Sequence, residues 1–115
     1  MDHKTKLNKL LSAFVEGTKD IFEDRLSEII LFGSYARNDY DSESDLDLMI
    51  LAKINRAEEL KFQKQLVDLL GDIYEKNGYS IVLSPIIINS DLFEEWKNTI
   101  PFYRNVATEG VRLSA

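Results

Sequence analysis

Cysteine is absent from the 115-residue chain, which excludes disulfide bonds, thiolate metal sites and cysteine nucleophiles. Histidine occurs once, as His3, which we expect to lie on the surface and not to act as a ligand. No apolar run approaches the roughly 20 residues that span a bilayer. The first residues lead into an amphipathic helix instead of a signal-peptide core. We therefore expect a cytoplasmic protein that does not enter a membrane.

Basic residues are scarce relative to acidic ones, with 14 Lys and Arg against 20 Asp and Glu and a net charge of −6. A protein that binds nucleic acid directly normally presents a basic face. The densest basic group here, Lys4, Lys6 and Lys9, lies on a helix that also carries an apolar stripe, so we interpret it as a solvated surface. We expect no direct nucleic-acid contact, and the acidity suits a partner with a basic surface.

The chain has no internal repeat and no linker-like segment, and its 44% apolar content can build one core. We therefore expect a single domain over residues 1–115. Apolar residues recur at helical spacing in some segments and form short continuous runs in others. The pattern predicts long helices at residues 4–24 and 56–77, strands at 29–32, 46–52 and 79–88, and a helical turn at 35–37. It also predicts a short helix at 92–98, a last helical turn that begins at Pro101 and stops at Gly110, and a small last strand at 111–113. On the second long helix, the residues assigned to the apolar face are Leu60, Val67, Leu70 and Tyr74.

Single residues predict how several elements begin or end. Gly78 suits the left-handed backbone that ends a helix, and Asp91 can cap the short helix that follows the third strand. Pro85 lies inside that strand and cannot donate to a ladder, so the strand is expected at a sheet edge or at a bulge. The order of elements predicts an α/β fold in which a short mixed sheet packs against helices.

Residues 31–50 contain the pattern that points to chemistry. Gly33 follows an apolar run, and its missing Cβ allows a sharp turn and close approach of a ligand. Ser34 offers a hydroxyl and an N–H, and the helical turn that follows would present N–H groups to a phosphate. Taken alone, Gly-Ser before a helix is equally a plain turn with an N-cap.

Two carboxylates follow on the next predicted strand. Asp45 and Asp47 are two residues apart, which puts both on one face of a strand. Carboxylates held this close repel each other unless a cation or a proton lies between them, and Mg²⁺ is commonly held by one or two carboxylates together with substrate phosphates. An isolated Asp-x-Asp is more often a solvent-facing pair, so the pattern gains weight only in combination with the preceding turn.

The combined pattern resembles the minimal nucleotidyltransferases of the DNA polymerase β superfamily. Their signature is Gly-Ser, a polar loop, and Asp-x-Asp on the next strand. The matching segments of this sequence are Phe32-Gly33-Ser34-Tyr35-Ala36-Arg37, Ser44-Asp45-Leu46-Asp47-Leu48, and in the tail Pro101-Phe102-Tyr103-Arg104-Asn105 with Glu109-Gly110-Val111.

The resemblance implies roles for individual residues. Gly33 and Ser34 would hold the nucleotide phosphates, and Asp45 and Asp47 would be the catalytic ligands of Mg²⁺. Arg37 is either a phosphate contact or a solvent-exposed charge, and Ser44, which also matches the signature, is assigned with them to nucleotide binding.

Two positions depart from the family pattern. Asn38 stands where the family usually has glycine, and asparagine tolerates left-handed backbone angles better than most residues, so the turn is expected to survive. Active members commonly add a third carboxylate from a neighbouring strand, but residues 79–88 contain no Asp or Glu. The best match for that position is Ser84, whose hydroxyl is neither a strong Mg²⁺ ligand nor a base at neutral pH.

The resemblance further implies an antitoxin that transfers AMP from ATP to a tyrosine of a helical HEPN-class ribonuclease, because relatives this short lack an added substrate-binding domain. Two alternatives remain open at this point. The chain could be a binding module of the same fold that blocks its partner by contact, or a transferase that acts on a small-molecule hydroxyl with a second substrate wall from a partner or a homodimer. Assembly into a homo- or hetero-oligomer is therefore also expected.

Overall fold

The computed structural model describes residues 2–114, and a four-stranded sheet lies at its centre. Strand order is β3-β2-β1-β4, with β1 antiparallel to β2 and β4, and β2 parallel to β3. The sheet is therefore mixed and short, as the sequence predicts. In chain order the elements are α1 (His3–Phe22), a 3-10 turn (Glu23–Arg25), β1 (Leu26–Phe32), α2 (Ser34–Arg37), β2 (Leu46–Ala52), α3 (Arg56–Asn77), β3 (Leu83–Asn89), α4 (Ser90–Trp96), α5 (Pro101–Glu109) and β4 (Val111–Ser114).

Side chains of β2 alternate between two cores, because successive residues of a strand point to opposite faces. Leu48 and Ile50 are fully buried in the larger core, which α1 and α3 cover. Met49 and Leu51 point to the smaller core, which α4 and α5 cover. Asp47 is two residues before Met49, so its side chain is on the face of α4 and α5.

The two long helices begin at caps that the sequence analysis did not single out, and the predicted end of α3 is confirmed. Asp2 caps α1 by accepting the N–H of Thr5 at 2.7 Å, and Asn55 and Glu58 form a capping box at the start of α3. Gly78 ends α3 with a φ of +83°, which is the positive angle that favours glycine there. Within residues 2–114 no helix combines the length and hydrophobicity needed to cross a bilayer.

The third strand is shorter than predicted. Pairing with β2 begins at Leu83, opposite Leu46, and not at Tyr79. Tyr79 is 75% exposed and stacks on Tyr74 of α3 with ring centroids 5.0 Å apart, so it lies outside the sheet. The strand does lie at the sheet edge, as Pro85 predicts.

Two predictions after this strand are also corrected. The cap of α4 is Asn89 and not Asp91, because the Asn89 side chain accepts the N–H groups of Asp91 and Leu92 at 2.9 and 3.1 Å. The helix therefore begins at Ser90, ahead of the predicted start. The last helical segment extends for nine residues from Pro101, so it is a full helix and not one turn.

The buried face of α3 differs from the predicted one. Leu60 and Val67 are 68% and 64% exposed, and Leu70 and Tyr74 are only partly buried. Both the predicted and the observed set fit a helical repeat, so periodicity alone cannot choose between them. Packing on α1 decides the matter, as the stacking of Phe22 on an α3 phenyl ring at 4.7 Å shows. The residues actually buried on α3 are Phe62, Leu66 and Ile73.

Candidate active site

The turn between β1 and α2 requires a glycine. Gly33 has φ +76° and ψ −154°, a region that residues with a Cβ rarely adopt. A methyl group at this position would also collide with the carboxylate of Asp47, since it would stand 3.1 Å from Cγ. The absence of a side chain at Gly33 therefore allows this turn to contact the Asp47 carboxylate of β2 directly.

The left-handed turn expected at the end of α2 is present, although asparagine stands there instead of glycine. Asn38 has φ +62° and ψ +31°, and its N–H donates to the carbonyl of Tyr35 at 3.4 Å. The N–H of Asp39 donates to the carbonyl of Ser34 at 3.0 Å. Asparagine is one of the few residues that adopt this conformation at low cost, so the chain enters the acidic loop in a defined direction.

A tight turn fixes the loop ahead of the carboxylate pair. The N–H of Asp41 donates to the Ser44 hydroxyl at 3.0 Å, and the Asp41 carboxylate accepts the N–H of Glu43 at 2.9 Å. Ser44 N–H also donates to the Asp41 carbonyl at 3.2 Å. The Ser44 hydroxyl is thus engaged within the loop, and its role in nucleotide binding stays a prediction.

Asp45 and Asp47 are close enough to interact electrostatically, and Asp47 also contacts the Gly33 turn. Asp45 is exposed just before β2, whereas Asp47 is half-buried within it, opposite Phe32 on β1. Burial, and then the negative charge of Asp45, raise the pKa of Asp47, while the positive charge of Arg37 acts in the opposite direction. A cation or a proton between the two carboxylates would relieve the repulsion that contributes to this shift.

The donor set at this pair fits Mg²⁺ in number and chemistry. Two carboxylates joined by substrate phosphates are a common magnesium arrangement. The strand register brings Ser84 of β3 beside Asp47, which confirms the position expected for it. Within residues 2–114 no group of three or more His, Cys, Asp or Glu residues is arranged to hold a metal ion. The site therefore offers two carboxylates and a serine, in agreement with the absence of a third acid from the sequence of this strand.

Arg37 is held between two acids at the edge of the site. Its guanidinium is 3.1 Å from the Asp39 carboxylate and 3.6 Å from that of Glu109 on α5. Its side chain is 45% exposed, and its effect on the pKa of Asp47 places its charge within range of the carboxylate pair. An incoming phosphate would have to compete with both acids for this cation.

A groove beside Gly33 extends the site onto α5, which the sequence reasoning did not include. Its volume is about 300 Å³. Phe102 lies edge-on to Phe32 in this groove, with ring centroids 5.6 Å apart. The spacing of its α5 residues, i, i+3, i+4 and i+7, could have been read from the sequence as one helix face. The lining residues are Phe32, Gly33, Arg37, Phe102, Asn105, Val106 and Glu109.

Comparison with known proteins supports the same chemistry. The family profile described as "Nucleotidyltransferase domain" matches residues 11–106. Among curated proteins, "Putative protein adenylyltransferase MJ0604" of Methanocaldococcus jannaschii is 35% identical over 102 residues, which is 89% of this chain and 92% of that protein. "Putative protein adenylyltransferase MJ0141" of the same organism is 36% identical over 94 residues, which is 78% of this chain and 91% of that protein.

Solved structures share the fold at lower identity. A crystal structure described as a putative nucleotidyltransferase from Sulfolobus solfataricus has a TM-score of 0.54 at 21% identity and covers 95% of this chain and 82% of its own. A structure described as a putative minimal nucleotidyltransferase has a TM-score of 0.52 at 21% identity and covers 96% and 95%. With its Gly-Ser turn packed against the carboxylate strand, this chain belongs to the nucleotidyltransferase family of enzymes.

Proposed function

We propose that the protein is a Mg²⁺-dependent protein adenylyltransferase that modifies a tyrosine of a helical HEPN-class ribonuclease and so acts as its antitoxin. The observation that carries the proposal is the direct contact between the Gly33 turn and the Asp47 carboxylate. This contact brings a phosphate-binding turn and a candidate metal ligand to one place. The names of the relatives, which specify adenylyl transfer to protein, support AMP as the group and a protein as the acceptor.

In this proposal the chain positions both reactants. The N–H groups at Ser34 and the start of α2 face the nucleotide phosphates, and Asp45 and Asp47 hold the divalent ion. When bound, Mg²⁺ supplies charge neutralisation and polarisation of the phosphoryl oxygens. The reaction forms a bond between the tyrosine oxygen and the α-phosphorus of ATP, breaks the bond from that phosphorus to pyrophosphate, and releases the phenolic proton to solvent.

Charge supports a protein acceptor of the opposite sign. The chain carries a net charge of −6, and a ribonuclease that binds RNA needs a basic surface. Opposite net charges increase the rate at which two proteins meet. The groove along α5 adjoins the Gly33 turn and is open to an aromatic side chain, since Phe32 and Phe102 form its apolar wall.

A second candidate function is favoured by Ser84. Because Ser84 stands beside Asp47 where active relatives commonly add a carboxylate, the site lacks the base that would take the proton from the attacking hydroxyl. In this alternative the domain binds its partner and blocks it by contact, without transferring AMP.

Labelled ATP separates the two candidates. The protein is incubated with α-labelled ATP, Mg²⁺ and the helical protein encoded beside it, and label on the partner is measured. Asp45→Asn and Asp47→Asn should each reduce the transfer at least ~100-fold, since each removes a charge from the transition-state environment. Glu43→Gln is the matched control, because it removes one charge from the same loop and its side chain makes no hydrogen bond or ion pair within residues 2–114.

The two functions give different results in this assay. Transfer that depends on Asp45 and Asp47 but not on Glu43 supports the enzyme. A stable complex that inhibits the partner, without label and without sensitivity to Asp47→Asn, would establish the binding module instead. Mass spectrometry that locates AMP on the labelled partner then tests the acceptor residue, because AMP on serine or threonine would contradict the tyrosine assignment.

A further inference from the structure

A basic pocket lies between the start of α1 and the end of α3. Its volume is about 240 Å³, and three of its six lining residues are lysines, whereas none is an acid. This composition is unusual for a chain in which Asp and Glu outnumber Lys and Arg by 20 to 14. The lining residues are Lys6, Lys9, Leu10, Lys76, Asn77 and Ser80.

The three ammonium groups are not neutralised by neighbouring acids. Among the ion pairs found within residues 2–114, none involves Lys6, Lys9 or Lys76. Like charges that share a small concavity repel each other. A bound anion would therefore relieve this repulsion and gain the attraction of all three charges.

The backbone gives the pocket its shape. Asn77 donates its side-chain amide to the Ile73 carbonyl at 3.0 Å, which secures the last turn of α3. Gly78 then turns the chain with φ +83°, and this turn leads Ser80 into the pocket wall opposite α1. Leu10 is only 3% exposed and contributes an apolar floor. The result is a pocket with a buried apolar base and a cationic rim.

The pocket lies on the other face of the sheet from Asp47, although Lys6 and Ser80 also line a neighbouring cavity with Tyr35 of α2. Leu10 belongs to the core on the α1 and α3 face of the sheet, whereas Asp47 points to the opposite face. The two are linked through the backbone, since the N–H of Leu46 donates to the carbonyl of Val82 at 2.8 Å. A ligand that contacts Ser80 would thus bind next to the segment that hydrogen-bonds to the start of β2.

We propose that Lys6, Lys9 and Lys76, with Ser80, form a binding site for a small anion that has two or more linked phosphoryl groups, such as pyrophosphate or the triphosphate of a nucleotide. Three charges on one rim match an anion of several charges better than a single carboxylate, and each phosphoryl group carries up to about two negative charges. Lysine binds phosphate as a point charge, so three lysines can surround linked phosphoryl groups without the planar fork that arginine offers. The acidity of the rest of the surface disfavours a long polyanion.

Calorimetric titration with inorganic pyrophosphate in EDTA tests the site, because removal of divalent ions suppresses binding at the carboxylate pair. The triple variant Lys6→Gln, Lys9→Gln, Lys76→Gln should bind at least ~10-fold more weakly than the wild type. The matched control removes three exposed lysines that line no described pocket, as Lys19→Gln, Lys53→Gln, Lys64→Gln. It changes the net charge equally, and its affinity should stay within ~2-fold. Thermal melts establish that both variants fold.

Further titrations identify the ligand and the place. In the NMR spectrum the amide signals of residues 6–10 and 76–80 should shift, and those of Gly33, Ser34 and Asp47 should not. Titration of ATP in EDTA distinguishes a nucleotide from free pyrophosphate as the source of the phosphoryl groups. Equal loss of affinity in both triple variants, shifts confined to 33–37, or tighter binding of a tetraglutamate peptide would each overturn the proposal. None of these outcomes depends on adenylyl transfer, so the site can fail while the proposed function stands.

Discussion

Substitution of Gly33 by alanine should damage both stability and activity, although it adds only one methyl group. The backbone angles of Gly33, φ +76° and ψ −154°, belong to a region that costs other residues about 1–3 kcal/mol. The new methyl would also stand 3.1 Å from Cγ and 3.3 Å from Cβ of Asp47, closer than the roughly 3.5–4.0 Å of a favourable carbon contact. Rotation of the Asp47 side chain away from its preferred rotamer adds about 0.5–1.5 kcal/mol.

The expected loss for Gly33→Ala is therefore about 2–4 kcal/mol in the free energy of unfolding. A small domain has about 5–15 kcal/mol in total, so the variant should still fold. Gly71→Ala is the matched control, because Gly71 lies inside α3 and a methyl there would meet nothing within 4 Å. Alanine in a helix interior is favoured over glycine by about 0.5–1 kcal/mol, so this variant should be more stable than the wild type.

Urea unfolding followed by circular dichroism measures both variants, and the labelled-ATP assay measures activity. Transfer by Gly33→Ala should fall about 100-fold or more, because displacement of Asp47 by an ångström has an effect of that order. When Asp47 is also replaced by alanine, Gly33→Ala should destabilise the protein less, because the part of the cost that comes from contact with the Asp47 side chain is removed. Equal stabilities of the Gly33→Ala and Gly71→Ala proteins, or wild-type transfer by the former, would refute this reasoning.

Three further predictions concern the turn, the third-acid position and an ion pair at the start of α3. Asn38→Val should lower the free energy of unfolding by about 1–2 kcal/mol, whereas Asn38→Gly should change it by less than ~0.5 kcal/mol, because only the β-branched residue resists left-handed angles; equal effects in urea unfolding would contradict this. Ser84→Asp should lower the melting temperature in EDTA by about 4 °C through repulsion with Asp47, and Mg²⁺ should restore it; a melting temperature that ignores Mg²⁺ would count against a metal site. The ion pair with Arg25 lowers the pKa of Glu58, so the stability advantage of the wild type over Glu58→Gln should be complete above the ordinary value of 4.5 and disappear as the pH falls through the lowered pKa. Calorimetric melts of both proteins from pH 7 to 3 measure this difference in stability. A difference that grew as the pH fell would contradict the prediction.

Local signals predicted the elements near the site well. The bounds of β2 and α3 agree with the structure because both are long periodic or continuous apolar segments that end at clear signals. The side-chain type of Asn38 alone predicted that the left-handed turn would be kept. Its φ of +62° confirms this prediction. Pro85 likewise identified an edge strand, since it lacks the N–H that a central strand needs.

Predictions failed where two choices were locally equivalent. Asn89 and Asp91 are both good caps, and only the path of the chain leaving β3 selects Asn89. Leu60 and Val67 on α3 repeat as regularly as the residues that are buried, but α1 covers the other face. The part of the site on α5, including Phe102, was missed because its distance from Gly33 in the sequence gives no sign of contact.

The sequence by itself determined the family, the Gly33 turn and the carboxylates of Asp45 and Asp47, because these depend on residue types at short, fixed spacing. Only the tertiary structure decided that the Asp47 carboxylate packs against Gly33, that Ser84 is its neighbour on β3, and that lysines from opposite ends of two helices meet in one pocket. The physical reason is that these contacts join segments far apart in the chain, and strand register and helix packing, which depend on the whole core, bring them together.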